Sequence, residues 1–245
     1  MLLLYLFRNR ETLCLSEQQL NTIIRQLTCY FVRRNITEYP TTSSLQRLFI
    51  NMNTTIEADD IKGDVLVDFI HQTLIDNSAS DTVLTERLRG DIYIDNAYAV
   101  RFLLSSLAQS HMTKETKVDL WEQQLYSNGQ RVYRWTIEHI FPEGENIPQP
   151  WVDMIAAGDK ELAKERRVKY VHKLGNLTLT RYNTELFNYS FEKKRDRKDQ
   201  SGNFIGYRNG FSINSDIAVK DVWTIEDIEE RTEKLIQELL TVFQL

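Results

Sequence analysis

Over the first 125 or so residues the apolar side chains recur at the spacing of helices, and beyond residue 131 that spacing gives way to two short β-rich runs. This change of period constrains the fold more than any other feature, because a helical pattern cannot be seated in a sheet without burying its polar face. Ser16 and Gln19 make a capping box, and Leu20, Ile23, Ile24, Leu27 and Phe31 follow as one helical stripe. Similar patterns recur in "SSLQRLFINM", in "DVLVDFIHQTLI" with His71 at a core edge or facing solvent, and in "DNAYAVRFLLSSLAQ", where Asp95 reads as the cap. The opening "MLLLYLF" meets Arg8 at once and has no basic segment before it, so it reads as a buried helix and neither a signal peptide nor a membrane span. Cys14 and Cys29 lack CxxC or Cys/His spacing and read as buried thiols, not a zinc site. These features together predict a cytoplasmic chain.

The β-rich runs are "RVYRWTI" and "LGNLTLT". Trp135 and Ile137 alternate with polar neighbours, and Pro142 stops further pairing just after Glu138 and His139. Between the runs "WVDMIAAGDKELAKERRVKYVHK" has helical propensity. After them "NTELFNYSFEKKRDRK" reads as one helix with Leu186 and Phe187 inward, and "NGFSIN" as a short extended piece. "TIEDIEERTEKLIQELLTVF" closes the chain as a helix capped by Thr224 and Asp227 and buried through Ile225, Ile228, Leu235, Ile236 and Leu239. The expected fold class is α+β, mainly α-helical, with one small two-stranded sheet near 131–138 and 174–180.

The formal net charge of −5 gives no general case for nucleic acid. Its distribution does: from Lys160 to Lys198 twelve basic residues stand against five acidic ones, a net of +7. A solvated helix face is one reading of such a run, and the footprint of a phosphate backbone is the other. No GxxxxGK[ST] loop is present, which leaves nucleotide-triphosphate hydrolysis unsupported.

Hydrolysis of a phosphodiester needs a base with a pKa near neutrality and a cation on the phosphoryl and leaving oxygens. Glu138 and His139 offer an acid and an imidazole, and "LGNLTLTRYN" offers Asn176 and Asn183. "EHIFP" followed by "HKLGNLTLTRYNTELFNYSFEKK" resembles the His-Asn-His (ββα-metal) nuclease superfamily. More narrowly it resembles the C-terminal nuclease domain of GmrSD-type modification-dependent restriction endonucleases. "YFVRRNI" and "VWTIEDIEERTEKLI" extend the likeness over most of the chain.

The resemblance implies a metal-dependent DNA endonuclease of an anti-phage restriction system, acting on phage or modified DNA. It divides the chain into a helical lead-in at 1–130, a nuclease core at 131–200, and a C-terminal segment and helix at 201–245 packed on the rest as one compact unit. By the resemblance His139 is the general base, Glu138 a metal ligand, and Asn176 the middle asparagine that braces the histidine loop. An asparagine stands where many relatives have the third histidine. Asn183 is the first choice for the second metal ligand, with Asn188 the rival, and this points to Mg²⁺ or Mn²⁺. Lys193 and Arg195 are implied phosphate contacts, and Lys173, Arg181, Lys194, Arg197 and Lys198 share the basic stretch. Read without the resemblance, Gly175-Asn176 is a bulge or turn, Asn183 a helix cap, and His172 a structural or substrate-contact residue. The DGQQR-like motif of an N-terminal nucleotide-using domain does not occur, so the chain reads as an isolated nuclease half, a split subunit or a piece of a longer protein, with target selection and regulation outside it. The competing class is a non-cleaving module that docks nucleic acid or a partner on a degenerate nuclease fold.

Overall fold

A computed structural model describes residues 2–125 and 129–245. The chain divides into two compact units, residues 1–87 with 243–245 and residues 88–242. The first holds α1 (Leu2–Arg8), α2 (Glu17–Thr37), α3 (Thr42–Ala58), α4 (Gly63–Asp76) and most of α5 (Asp81–Arg89). The Ser16–Gln19 capping box starts α2 as expected: Ser16 Oγ accepts from Gln19 N–H, and Gln19 Oε1 accepts from Ser16 N–H. Leu20, Ile23 and Leu27 face the core with Met52, Ile56, Leu66, Ile70 and Leu74 from α3 and α4. Cys29 is buried, whereas Cys14 is exposed because it lies in the turn between α1 and α2 at φ 53°.

The second unit opens with α6 (Ile92–Ser110), which starts before Asp95 and kinks at Asn96. Asn96 Oδ1, not Asp95, accepts from Ala99 N–H and restarts the helix beyond the kink. Among the described residues two antiparallel pairs follow where one was expected. The first is β1 (Gln123–Leu125) on β2 (Arg131–Tyr133), and the second is β3 (Thr136–His139) on β4 (Leu177–Thr180). "RVYRWTI" breaks between them because the buried Arg101 guanidinium takes the Trp135 carbonyl while the Trp135 ring stacks on Phe211.

Between β3 and β4 lie α7 (Gln149–Ala156) and α8 (Lys160–Tyr170), the latter capped by Asp159, whose side chain accepts from the Glu161 and Leu162 N–H groups. Leu174–Asn176 is a 3₁₀ turn, not a strand. After β4 the expected single helix is two, α9 (Asn183–Leu186) and α10 (Phe191–Arg195). Phe187 sits at φ 43°, ψ −152°, which stops the first, and Ser190 Oγ caps the second. α11 (Ser215–Ala218) and α12 (Ile225–Val242) complete the unit, and "NGFSIN" is a turn, with Ser212–Asn214 in 3₁₀ geometry.

Thr224 and Asp227 cap α12 reciprocally, and its apolar stripe is buried through Ile225, Ile228, Leu235, Ile236 and Leu239, as the periodicity predicts. The core below β3 gathers Ile140, Phe141, Trp151, Phe191, Tyr207, Trp223 and Ile228. The architecture is thus mainly helical α+β with small two-stranded sheets. No helix among the described residues is long and apolar enough to cross a membrane.

Candidate active site

Successive residues of a strand face opposite sides, and the last two of β3 take different surroundings. Glu138 turns into the core. Its Oε1 lies 2.6 Å from Lys194 Nζ on α10 and 3.3 Å from the Tyr207 hydroxyl. Lys194 also donates to the His139 and Ile140 carbonyls, at 2.8 and 3.2 Å. Burial pushes the Glu138 carboxyl up and the Lys194 ammonium down, and their contact opposes both shifts. Gly206 lets this happen: a Cβ there would lie 2.0 Å from the Lys194 carbonyl.

His139 meets a separate set of groups. Its Nε2 lies 3.2 Å from His172 Nδ1, and its Nδ1 lies 3.7 Å from a carboxylate oxygen of Glu143. His172 Nε2 is 3.9 Å from the other Glu143 oxygen. Tyr93 stacks on the His172 ring, with centroids 5.3 Å apart and planes 5° from parallel, and meets the His139 ring edge-on at 4.8 Å. Burial, then the neighbouring His172 and Lys194, lower the His139 pKa to about 3. The ring is therefore the neutral imidazole at neutral pH, one nitrogen keeping its N–H and the other offering a lone pair to a water proton or to a cation. Burial, and then Glu143, raise the Tyr93 pKa.

Asn176 fixes the two segments that carry these rings. Its Oδ1 accepts from Phe141 N–H at 2.8 Å, and its Nδ2 donates to the Phe141 and Val171 carbonyls at 3.0 and 2.9 Å. Phe141 lies two residues after His139, and Val171 immediately before His172. Asn176 is itself clamped from α12. A Cβ on Gly175 would lie 2.1 Å from the Ile228 carbonyl, and Arg231 donates to the Gly175 and Leu177 carbonyls at 2.7 and 2.8 Å.

Asn183 does not cap its helix, whose N-cap is Tyr182 without a side-chain bond. Its Nδ2 reaches instead to the Ile137 carbonyl at 2.8 Å and so ties α9 to β3. Asn188 is exposed and lies over the loop after Glu143, where a Cβ on Gly144 would approach its Nδ2 to 3.0 Å. The Glu138 carboxylate is held by Lys194 and Tyr207, whereas the Asn183 bond uses Nδ2 and leaves its amide oxygen to a ligand. Among the described residues, His139, Glu143 and His172 offer donor atoms within 4.8 Å of one another. Two imidazole nitrogens and a carboxylate fit Mn²⁺ better than Mg²⁺, which favours oxygen and water.

The basic stretch divides. Lys194 is 1% exposed and held by Glu138, so it offers nothing to a phosphate. Arg195 is also buried, between Asp196 at 2.6 Å, Asp221 at 2.8 Å and the Lys220 carbonyl, and its hydrogen bond to Asp196 raises its pKa. These two placements correct the expectation of surface contacts: α10 turns that face inward. Lys193 and Lys198 are exposed and Arg197 half-buried, with Arg197 3.6 Å from Glu185. Arg181 is exposed and 3.9 Å from Glu122, and Lys173 donates to the Arg89 carbonyl at 2.8 Å.

Sequence reasoning missed Glu143 and Tyr93 and read His172 as a structural or substrate-contact residue near the site, not as a donor beside His139. An acid four residues past a histidine across a proline carries no periodic signal, and Tyr93 is remote in sequence. Tyr207 and Arg231, which hold Glu138 and the Gly175 turn, were silent for the same reason.

The family of "GmrSD restriction endonucleases, C-terminal domain" matches residues 78–238. No curated protein and no solved structure matches the chain. The match covers more than half of the chain, which therefore belongs to this restriction endonuclease family.

Proposed function

We propose that this member of the GmrSD C-terminal domain family is a divalent-metal-dependent endonuclease of the His-Asn-His type. It hydrolyses phosphodiester bonds of DNA, phage or modified, in an anti-phage restriction system. The observation that carries the reading is the His139 group, which lies within the residues the family matches: a neutral imidazole at the exit of β3, flanked by His172 and Glu143 and braced through Asn176. His139 takes the proton of the attacking water. Its low proton affinity in the free protein rises when an anionic phosphate arrives beside it, since a nearby negative charge favours the imidazolium. Glu143 at Nδ1 orients the ring, and Asn176 holds the backbone on which it is mounted. Of the cations on and just after α10, Lys193, Arg197 and Lys198 are left to meet the DNA backbone, with the exposed Arg181 beyond them and target selection supplied by a nucleotide-using domain or subunit.

A divalent ion, when bound, supplies charge stabilisation at the phosphoryl and leaving oxygens. The residues placed to hold it are Glu143 and His172, and the tight grouping of all three donors favours a second reading in which His139 is itself a ligand. One experiment separates the readings. The protein and His139→Ala are titrated with Mn²⁺ by calorimetry and incubated with plain and modified plasmid DNA, with Mn²⁺, Mg²⁺ or EDTA. If His139 is the base, the variant keeps its metal affinity and loses roughly 10²–10⁴-fold in cleavage. If it is a ligand, metal affinity falls with cleavage. DNA binding that survives EDTA and yields no products with any metal would overturn the nuclease reading in favour of a docking module.

A further inference from the structure

The break between α9 and α10 leaves two aromatic rings on the surface, on the segment whose Asn188 packs over the loop after Glu143. Phe187 is 64% exposed, and its backbone occupies the left-handed region that an L side chain seldom adopts. Tyr189 meets it edge-on, with ring centroids 6.0 Å apart. The Lys193 ammonium and the Arg197 guanidinium lie 5.7 and 5.8 Å from the Tyr189 ring centre. The segment is mounted rigidly, since Trp151 Nε1 donates to the Tyr189 carbonyl at 2.8 Å and Asn188, between the two rings, packs over Gly144. Gly144 directly follows Glu143 of the His139 group.

An aromatic face with cations on its flank is what a nucleic-acid base and its phosphate require together. The ring stacks on the base irrespective of sequence, and the cations meet the backbone. An exposed phenylalanine on a strained, anchored turn cannot be placed by core packing, because it has no core to enter. We propose that Phe187 and Tyr189 form a stacking site for an unpaired DNA base close to the scissile phosphate, with Lys193 and Arg197 on the adjoining phosphates. The enzyme then selects DNA that is locally unstacked at the cut. The proposal rests on the DNA-cleaving reading above and names the feature of DNA that the site takes.

The test uses three 20-base-pair duplexes in EDTA, one fully paired, one with a single unpaired 2-aminopurine, and one with an abasic gap in its place. The wild-type chain is expected to bind the unpaired-base duplex most tightly and to quench its 2-aminopurine. Phe187→Gly, which removes the ring and relieves the backbone, should lose about 5- to 100-fold in affinity for that duplex, with little change on the other two. Phe187→Trp should retain the preference, and its own added fluorescence should respond to the DNA. Equal affinity of wild type and Phe187→Gly for the unpaired-base duplex, with DNA otherwise bound, overturns the stacking site alone. A wild-type chain that binds the three duplexes equally, or none of them, overturns this proposal, whereas the nuclease reading beneath it falls only if no metal yields cleavage products.

Discussion

Asn176 and Phe141 exchange two hydrogen bonds, the Phe141 N–H donating to Oδ1 at 2.8 Å and Nδ2 donating back to the Phe141 carbonyl at 3.0 Å. A side-chain amide thereby stands in for a strand partner just where Pro142 ends pairing, and its remaining donor reaches the Val171 carbonyl. Asn176→Ala strips partners from a fully buried site and should cost roughly 2–4 kcal/mol of stability, since each orphaned buried group carries its desolvation penalty. Asn176→Asp retains the acceptor but sets a buried carboxylate oxygen against the Phe141 and Val171 carbonyls, and should cost at least as much. Urea unfolding followed by Mn²⁺-dependent cleavage checks both, and an unperturbed Asn176→Ala would show that the brace is dispensable.

Glu138 and Lys194 make the second test. Removing one member leaves a buried charge without its partner, which typically costs about 3–5 kcal/mol. Lys194→Met and Glu138→Gln should each destabilise strongly, and the double variant should recover much of the loss. The salt dependence of DNA binding should be unchanged in the folded double variant, because Lys194 is interior. A flattened salt slope there would return Lys194 to the DNA surface.

The low pKa of His139 links folding to pH. Its folded value of about 3 lies below the ordinary 6.5, so between these values the unfolded chain holds the extra proton. The stabilisation from neutral burial is complete above pH 6.5 and is lost as pH falls toward 3. The slope that this single proton adds is at most about 1.4 kcal/mol per pH unit. Thermal unfolding of the wild type and His139→Gln from pH 7.5 to 4 should show a shallower acid decline in the variant. Parallel declines would place the acid sensitivity in other groups.

Lys193, Arg197 and Lys198 should act as phosphate contacts and not as readers of base edges. Changing all three to Gln should weaken binding on every DNA sequence and reduce the slope of log affinity against log salt by about 2 to 3. Arg195→Gln should instead lower stability, because it removes the buried guanidinium that ties α10 to the Lys220 carbonyl and to Asp221, and leave the slope alone. Identical effects from the two sets of changes would erase the division of the basic stretch into outward and inward cations.

What the sequence by itself determined was local. The Ser16–Gln19 and Thr224–Asp227 boxes, the stripes of α2 and α12, and strands ending near His139 and Thr180 follow from contacts within a few residues, which periodicity and capping chemistry record directly. What the tertiary structure decided was the partner of every polar group the site depends on. "EHIFP" cannot say that Glu138 is held by Lys194 on α10, 56 residues on, while His139 meets His172, 33 residues on. "FEKKR" likewise cannot say which of its cations face inward. The five-residue α10 turns Lys194 to Glu138 and Arg195 to Asp221, and leaves Lys193 outside. The break at Phe187 was equally hidden, because helix propensity runs through "NTELFNYSFEKK" without interruption. The chain departs from it where Asn183 is drawn onto β3 and Trp151 onto the Tyr189 carbonyl. A buried charge must find its counter-charge wherever the fold provides one, and that pairing is fixed only when distant segments close around it.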